Sequence, residues 1–341
     1  MTALVALAVP LQLSAQTYTA FDPPNSVSTN PTGINEAGAI TGFYADANFL
    51  NHGFVRAQDG TITTFDTPGA SQGTIPAAIN ASGAITGNYV DANGVNHGFL
   101  RAKDGTITPF DAPGAGTAQF QGTTPDSINP GGVITGFYVD TNGGLHGFVR
   151  AKDGQLTTFD VGSLGTQPAS INPAGEITGN YLVSVGAGQT VPRGFVRSAN
   201  GAITVNFSST FFEDTPVSIN PAGTASGTFS GVNNNAGYFL RTKGGAVTTF
   251  DPSELGPATP LGGATNQEGA LIGLFISGSF PNLNFVSFLR TPDGNFTEIA
   301  DPNAGTGFFQ GTIAVGINAA GEITGNYSDS NGVGHGFLRT P

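Results

Sequence analysis

The four histidines of this 341-residue chain occupy one position of an internal repeat, and each can be paired with an aspartate that ends an outer strand. The predicted pairs are His52 with Asp66, His97 with Asp111, His146 with Asp160, and His335 with Asp22. An Asp-Gly hairpin should bring the two members together. Such a pair could be a catalytic base with its orienting carboxylate, or a hydrogen bond that closes the outer hairpin. A catalytic pair is usually unique, so the fourfold repetition favours the structural role.

Histidine does not occupy this repeat position in every unit. The fourth, fifth and sixth units are predicted to hold Arg193, Ala236 and Val286 there. The fifth and sixth nevertheless keep Asp251 and Asp301 at the end of the outer strand. The four histidine-bearing units are consecutive if the units form a ring.

Other acidic residues provide weaker candidates for chemistry. Glu213 and Asp214 are adjacent, and we place them in the loop entering the fifth unit as the best carboxylates for an enzyme. Asp-x-Asn-Gly segments begin at Asp91, Asp140 and Asp329 and resemble half of a calcium loop, but the later acidic ligand is absent, so we interpret them as hairpin turns. No metal site or cofactor is predicted, because histidines of neighbouring units lie roughly 10 Å or more apart, whereas zinc needs ligands at ~2 Å.

The repeat that positions these residues is about 47 residues long, within the range of a propeller blade. Its most regular element is Ile-Asn, which recurs at Asn35, Asn80, Asn129, Asn172, Asn220 and Asn318, with Thr265-Asn266 as a variant. Each unit contains four short β-type segments separated by Gly- and Asn-containing turns. The composition and spacing therefore predict an all-β fold.

The ends of the chain predict how the units are arranged. The last unit stops at Gly336-Phe337-Leu338-Arg339 without its fourth segment, and Thr17 to Pro24 matches that missing segment. A ring shares a unit between its termini because this removes two sheet edges. We therefore expect a single domain over residues 16–341, a seven-bladed β-propeller with four strands per blade whose last blade is closed by the N-terminal strand.

The repeat resembles the bacterial extracellular HAF repeat family. The pattern here is Ile-Asn-x-x-Gly-x-Ile-Thr-Gly followed by His-Gly-Phe-x-Arg, as in Ile79 to Gly87 and His97 to Arg101. The family has His-Ala-Phe, usually followed by Leu-Trp, at the second element. The resemblance covers nearly all of residues 17–340 and implies secretion and a repeat architecture. It transfers no catalytic residue.

Composition and charge exclude some classes of binding partner. The net charge is −12 with only 10% charged residues, and no basic run exists, so nucleic acid is not expected as a partner. Met1 to Ala15 is apolar and ends in small residues, which predicts a secretion signal, or alternatively a buried first strand. No segment reaches the length of a membrane span. We expect a secreted, extracellular or periplasmic monomer without cysteine chemistry, since the chain has no cysteine.

Two kinds of recurring or unusual residue complete the prediction. Seven of the arginines, from Arg56 to Arg339, hold one repeat position and are expected to pack between blades. Two inter-blade loops instead carry aromatic insertions beside glutamine, and a third is shorter; their residues are Phe120, Gln121, Phe308, Phe309, Gln310 and Gln72. The Phe side chains either plug the channel or meet a ligand.

The sequence predicts a binding or scaffold module for glycan or protein ligands. The simpler alternative for the Phe loops is that they fill the channel and bind no ligand. The alternative is a secreted lyase or hydrolase that uses a His–Asp pair or Glu213 and Asp214. Repetition of the polar features favours the binding module, whereas one cluster of unlike polar residues would favour the enzyme.

Overall fold

The computed structural model describes residues 16–205, 207–208, 210–231, 236–252, 258–279 and 283–341. These residues form β-strands joined by turns and contain no helix, so the all-β prediction is confirmed. Residues 1–15, for which a secretion signal was predicted, lie outside the described residues.

The strands repeat in groups of four along the chain. The first strands of the groups are β2 (Ser28–Ile34), β6 (Gly73–Ile79), β10 (Gly122–Ile128), β14 (Thr166–Ile171), β18 (Phe211–Ile219), β22 (Ala258–Thr265) and β26 (Gly311–Ile317). The second strands are β3 (Ile40–Ala45), β7 (Ile85–Val90), β11 (Ile134–Val139), β15 (Ile177–Gly186), β19 (Ala225–Gly231), β23 (Leu271–Ser277) and β27 (Ile323–Ser328).

The third and fourth strands of each group together contain fewer residues than the first and second strands. The third strands are β4 (Asn51–Arg56), β8 (Asn96–Arg101), β12 (Leu145–Arg150), β16 (Gln189–Arg197), β20 (Ala236–Arg241), β24 (Asn284–Arg290) and β28 (Gly334–Thr340). The fourth strands are β5 (Ile62–Phe65), β9 (Ile107–Phe110), β13 (Leu156–Phe159), β17 (Ile203–Val205), β21 (Val247–Phe250), β25 (Phe296–Ile299) and, from the start of the chain, β1 (Thr17–Phe21).

Each group is an antiparallel meander, and we number the groups as units 1 to 7 from β2 onward. Unit 7 takes β1 as its outer strand, which pairs with β28 from Thr17 opposite Thr340 to Phe21 opposite Gly336. The strands fall into one twelve-stranded, one eight-stranded and two four-stranded sheets. Within the two larger sheets, the strand pairing that links neighbouring units consists of single parallel pairs, Ser28–Gly334, Asn96–Gly122 and Phe285–Gly311.

The Ile-Thr-Gly element of the repeat has a steric cause. A Cβ on Gly87 would lie 2.2 Å from the carbonyl oxygen of Ile75 in the preceding strand, so only glycine allows the two backbones to approach this closely. The same conflict, at 1.9 to 2.2 Å, recurs in five other units. The close packing of the first and second strands therefore explains why the motif contains glycine.

The Asn of Ile-Asn joins neighbouring units as well as shaping a turn. The side-chain oxygen of Asn35 accepts hydrogen bonds from the amides of Ala37 and Ala39, as expected of a turn residue. Its Nδ2 donates to the backbone carbonyl of Asn80 in the next unit at 3.0 Å. Equivalent bonds of 3.0 to 3.4 Å run through the units in order and return from Asn318 to Asn35. We call this set of seven bonds the Asn circuit.

Apolar side chains and the repeated arginines fill the space between units. Phe99 of unit 2 is fully buried and meets the edge of Phe65, which belongs to unit 1, with ring centroids 6.1 Å apart. The Arg101 guanidinium lies 4.8 Å from the centre of the same Phe65 ring. Equivalent contacts, at 4.7 to 5.2 Å, hold Arg56, Arg150, Arg197, Arg241 and Arg290 over an aromatic ring of the preceding unit. These arginines pack between units, as predicted.

Candidate functional site

Each histidine lies between two carboxylates rather than beside one. Nδ1 is 2.7 to 3.0 Å from the aspartate of the outer strand, in the pairs His52–Asp66, His97–Asp111, His146–Asp160 and His335–Asp22. The predicted contacts are therefore present in all four units. Nε2 faces a second aspartate at 3.5 to 3.9 Å, contributed by the turn between the second and third strands: Asp46, Asp91, Asp140 and Asp329, respectively.

An aromatic ring supports each histidine from the second strand. Tyr89 lies opposite His97 across the strand pair, and the rings stack with centroids 5.0 Å apart. The other three histidines stack on Tyr44, Tyr138 and Tyr327 at 4.9 to 5.2 Å. Burial raises the pKa of all four tyrosine hydroxyls. The histidine side chains keep 19 to 29% of their surface exposed.

The turn aspartates are engaged by their own backbone. The Oδ1 atom of Asp91 accepts hydrogen bonds of 2.9 Å from the amides of Asn93 and Val95. These amide donors hold the pKa of the carboxyl below its usual range, and the same holds for Asp46, Asp140 and Asp329. The carboxylates thus fix hairpin turns. The described residues contain no group of three or more His, Asp or Glu side chains able to hold a metal ion.

The geometry gives the histidines little capacity for base catalysis. A catalytic base uses one nitrogen on its orienting carboxylate and directs the other at the substrate. Here a second carboxylate stands at the other nitrogen, and the arrangement occurs four times. The structural role of the His–Asp pairs stays a prediction, and this geometry favours it.

Two positions in the units without histidine differ from the sequence alignment. In unit 5 the residue opposite Phe229, where the other units place histidine opposite tyrosine, is Gly237 and not Ala236. In unit 6 the outer-strand register places Ile299 where Phe65 lies in unit 1, so Ala300 takes the place of the paired aspartate and Asp301 lies one residue further along. Arg193 and Val286 occupy the histidine position in units 4 and 6, as predicted.

Glu213 and Asp214 lie within strand β18 and not in a loop, which corrects the sequence prediction. A register shift between Phe211 and Glu213 lengthens this strand at its start. Asp214 is fully buried, accepts a 2.8 Å hydrogen bond from the Gly194 amide, and lies 3.8 Å from Arg193. Burial raises the pKa of its carboxyl.

Asp214 takes the place that a buried threonine holds in other units. In unit 2 the Thr74 hydroxyl occupies this register position and accepts a hydrogen bond from the backbone amide of Thr67. Asp214 likewise accepts a backbone amide. Glu213 accepts a hydrogen bond from Ser230 across the strand pair. Neither carboxylate is presented to a substrate as the enzyme hypothesis requires.

Several exposed phenylalanines lie beside turns between the second and third strands of different units. Phe120 is 76% exposed, and its amide donates to the carbonyl of Gly94 in the corresponding turn of unit 2. Phe309 is 42% exposed, and its amide donates to Leu283 before the third strand of unit 6. Phe308 is 50% exposed and contacts Phe309 with ring centroids 4.3 Å apart.

The sequence analysis missed a fourth member of this set. Phe49 is 81% exposed and ends the Asp46-x-Asn48 turn of unit 1, where units 2, 3 and 7 have glycine. Aligning this turn with Asp91-x-Asn93-Gly94 is the signal that could have found it. We call Phe49, Phe120, Phe308 and Phe309 the Phe surface.

Three members of the Phe surface have a strained backbone. The φ angles of Phe49, Phe120 and Phe309 are 63°, 65° and 53°, in the left-handed region that L-residues rarely adopt. Such a conformation costs about 1–2 kcal/mol per residue, and glycine would avoid it. Strain of this kind is concentrated at functional sites. A channel plug would be buried, so the exposure of Phe120 argues against the plug interpretation.

The three glutamines named with these loops stabilise the loops themselves. The side-chain oxygens of Gln121 and Gln310 accept hydrogen bonds from Ala118 and Gly307 at 3.0 and 2.8 Å. Gln72 donates to the carbonyl of Ala92 in the unit 2 turn at 3.3 Å. These amides fix the loops in position, and the Phe rings are the part turned to solvent.

Comparisons with known proteins support a fold and no specific activity. No protein-family model matches the sequence, and no curated protein matches it either. Among solved structures, the acylaminoacyl peptidase of Pyrococcus horikoshii matches with a TM-score of 0.54 and 10% identity, over 88% of this chain and 49% of that one. A puromycin hydrolase mutant complexed with PGG matches with a TM-score of 0.54 and 13% identity, over 91% of this chain and 52% of that one.

This chain therefore spans about half the length of these two proteins. A lectin from Burkholderia pseudomallei matches with a TM-score of 0.45 and 11% identity, over 93% of this chain and all of that one. For the peptidase and the hydrolase, at 10% and 13% identity, the likeness is one of fold alone. The described strands themselves repeat in the four-stranded, propeller-like units described above. The part of the chain that the structure describes has no helix able to cross a membrane.

Proposed function

We propose that this chain is a secreted binding module, a closed seven-bladed β-propeller that takes glycan ligands on the Phe surface. The observation that carries the proposal is the strained and exposed backbone of Phe49, Phe120 and Phe309. A soluble protein gains no stability from such residues, because both the exposure of a ring and the positive φ are unfavourable. Contact with a ligand gives them a use.

The closed propeller is supported by two contacts between the ends of the repeat. The Asn circuit passes through all seven units and returns to its start, from Asn318 to Asn35. Strand β1 supplies the outer strand of unit 7 by pairing with β28. Membership of the HAF repeat family and secretion rest on the sequence pattern and on Met1 to Ala15, and they belong to the same proposal.

A glycan fits the chemistry of the surface better than a charged ligand does. Flat aromatic rings can cover the apolar face of a sugar, and Phe offers no polar group of its own. The net charge of −12 disfavours acidic polymers. The described residues offer no comparable support for a lyase or hydrolase, since Asp214 and the four His–Asp pairs are engaged within the fold.

The test replaces Phe49 and Phe120 together by glycine, the residue that other units use at the turn position of Phe49. Because the strain is removed, we expect the free energy of unfolding to stay equal or rise by about 1 kcal/mol per site. Retention on a glycan and polysaccharide array should fall at least tenfold. Val185→Thr, an exposed apolar residue of unit 4, is the matched control. Unchanged retention by the double variant would refute the Phe surface as the ligand site.

A further inference from the structure

A second candidate site, separate from the Phe surface, lies among the first strands of units 1 to 4. Every first strand has an equivalent register shift that leaves one residue without a partner, and β18 has a second shift near its start. The unpartnered residues are Thr32, Ala77, Asp126, Ala169, Val217, Leu261 and Val315. Asp126 is the one charged member of this series, so the repeat does not explain it.

Asp126 lines a cavity of about 500 Å³ together with three of these residues, Thr32, Ala77 and Ala169. This volume is within the usual range for a small-molecule site. Phe137 and three prolines supply apolar surface, and Asn88, Gln167 and Asn180 supply amides. Unlike the His–Asp pairs, a charged residue at this position of the described strands occurs only in unit 3.

The polar groups of the cavity are incompletely used. The Oδ2 atom of Asp126 is buried and has no hydrogen-bond partner among the described residues. The residues that line the cavity include no lysine, arginine or histidine, so nothing there balances a negative charge. Burial raises the pKa of the Asp126 carboxyl well above its usual range. An unpaired buried carboxylate is costly, and a cationic ligand would remove that cost.

We propose that this cavity binds a small organic ligand carrying a protonated amine, with the ammonium group against the Asp126 carboxylate. The side chains of Gln167 and Asn180 hydrogen-bond the polar groups of the ligand, and Phe137 packs on its carbon skeleton. A divalent cation fits less well, because it needs several oxygen ligands and the cavity offers one carboxylate.

The experiment compares two probes with the same ring, one carrying an ammonium group and the other an uncharged hydroxyl. Cyclohexylamine and cyclohexanol share one ring, and calorimetry or ligand-observed NMR at pH 7 measures both. We expect the amine to bind at least tenfold more tightly than the alcohol. The preference should disappear in Asp126→Asn, which keeps the shape and loses the charge, and in Asp126→Ala, which places the residue of units 2 and 4 at this position.

The controls separate this site from the Phe surface. Thr32→Ala changes another residue of the same cavity without altering its charge and should keep the preference for the amine. Phe49→Gly should leave amine binding unchanged whatever it does to glycan retention. Equal binding of the two probes by the natural protein, or a preserved preference in either Asp126 variant, would overturn the proposal.

Discussion

Units 7, 1, 2 and 3 close the third strand against the outer strand with a His–Asp contact, whereas units 4, 5 and 6 fill the same place differently. In unit 4, Arg193 donates to the Phe211 carbonyl at 2.8 Å. Unit 5 has Gly237 at the histidine position, and the neighbouring Tyr238 is fully buried and hydrogen-bonds the backbone of Leu274. Unit 6 has Val286.

The comparison shows that the His–Asp contact is one of several ways to complete a unit. The two groups share the meander, the Asn circuit and the arginine over the preceding aromatic ring. The shared contacts lie between units. Among the variable ones, the His–Asp contacts lie within a unit, whereas Arg193 reaches Phe211 of unit 5 and Tyr238 reaches Leu274 of unit 6. The contacts that every unit shares are therefore the ones that the repeat requires, and the histidine position is free to vary.

Removing residues 16–24 should have the largest effect, because it opens the histidine-bearing group at unit 7. The deletion takes away strand β1, the partner of His335, and Phe21, whose ring meets Phe54 and Arg56 of unit 1. Losing Phe21 alone is worth about 3–5 kcal/mol. We expect a lower melting temperature or aggregation, measured by calorimetry and light scattering. A monomeric deletion variant of unchanged melting temperature would show that β1 is dispensable.

One carboxyl from each group, Asp91 in unit 2 and Asp214 in unit 5, should make stability depend on pH with opposite sign. The lowered pKa of the Asp91 carboxyl means that the unfolded chain binds protons more readily there, so stability is lost as pH falls below about 4. The raised pKa of Asp214 means that the folded chain binds the proton, so stability is lost as pH rises from about 4 through the folded pKa. Asp91→Asn should weaken the first slope, and Asp214→Thr should weaken the second.

Urea unfolding across pH 2.5 to 7 measures both slopes. Asp214→Thr uses the residue that other units hold at this position, which limits the structural change. The comparison fails if both variants alter the slope in the same pH range.

Single histidines should matter less. His97→Ala should lower the free energy of unfolding by about 1 kcal/mol, the usual contribution of one hydrogen bond. Ligand retention should persist, since the Phe surface is untouched. Complete loss of binding by a folded His97→Ala variant would instead give the histidine a direct role.

We expect the smallest effect from introducing a His–Asp pair into unit 6, at Val286 and Ala300. A cavity of about 210 Å³ lined by Val286, Ala300 and Ala304 leaves room for it. Val286→His alone should not stabilise the protein, because Ala300 provides no carboxylate. Adding Ala300→Asp to the Val286→His variant should raise the free energy of unfolding by about 0.2–1 kcal/mol, the range of an exposed ion pair. A double-mutant cycle measures this coupling, and a value of zero would mean that stacking on tyrosine is also required.

Sequence reasoning reached the elements that are local and repeated. The β-class follows from Gly and Asn at regular turns, and the His–Asp contacts follow from strands that a tight hairpin aligns. It missed the second carboxylate at each histidine, because Asp91 approaches His97 from a different turn and only the folded hairpin brings them together. It also missed Asp126, because a register shift changes which side of the strand a residue occupies.

The register of the paired strands explains the remaining corrections. The sequence predicts a loop at Asp214 because the irregular pairing between Phe211 and Glu213 interrupts the alternation of residues that would mark the start of β18. Alignment of the repeats predicts Ala236 and Asp301 at the positions that Gly237 and Ala300 hold, because alignment alone does not show which residues face each other across the strands.

The bonds of the Asn circuit all run in the same direction, from each unit to the next, and no unit is the first in the series. Each asparagine side chain donates to the unit that follows it, so every unit gives one bond and receives one, including units 7 and 1. The paired ends of β1 and β28 adjoin, with the hydroxyls of Thr17 and Thr340 at 3.0 Å. A circular permutant that links these ends and opens an Asp-Gly turn elsewhere would therefore retain the same seven bonds, and the order of the units would matter while their starting point would not.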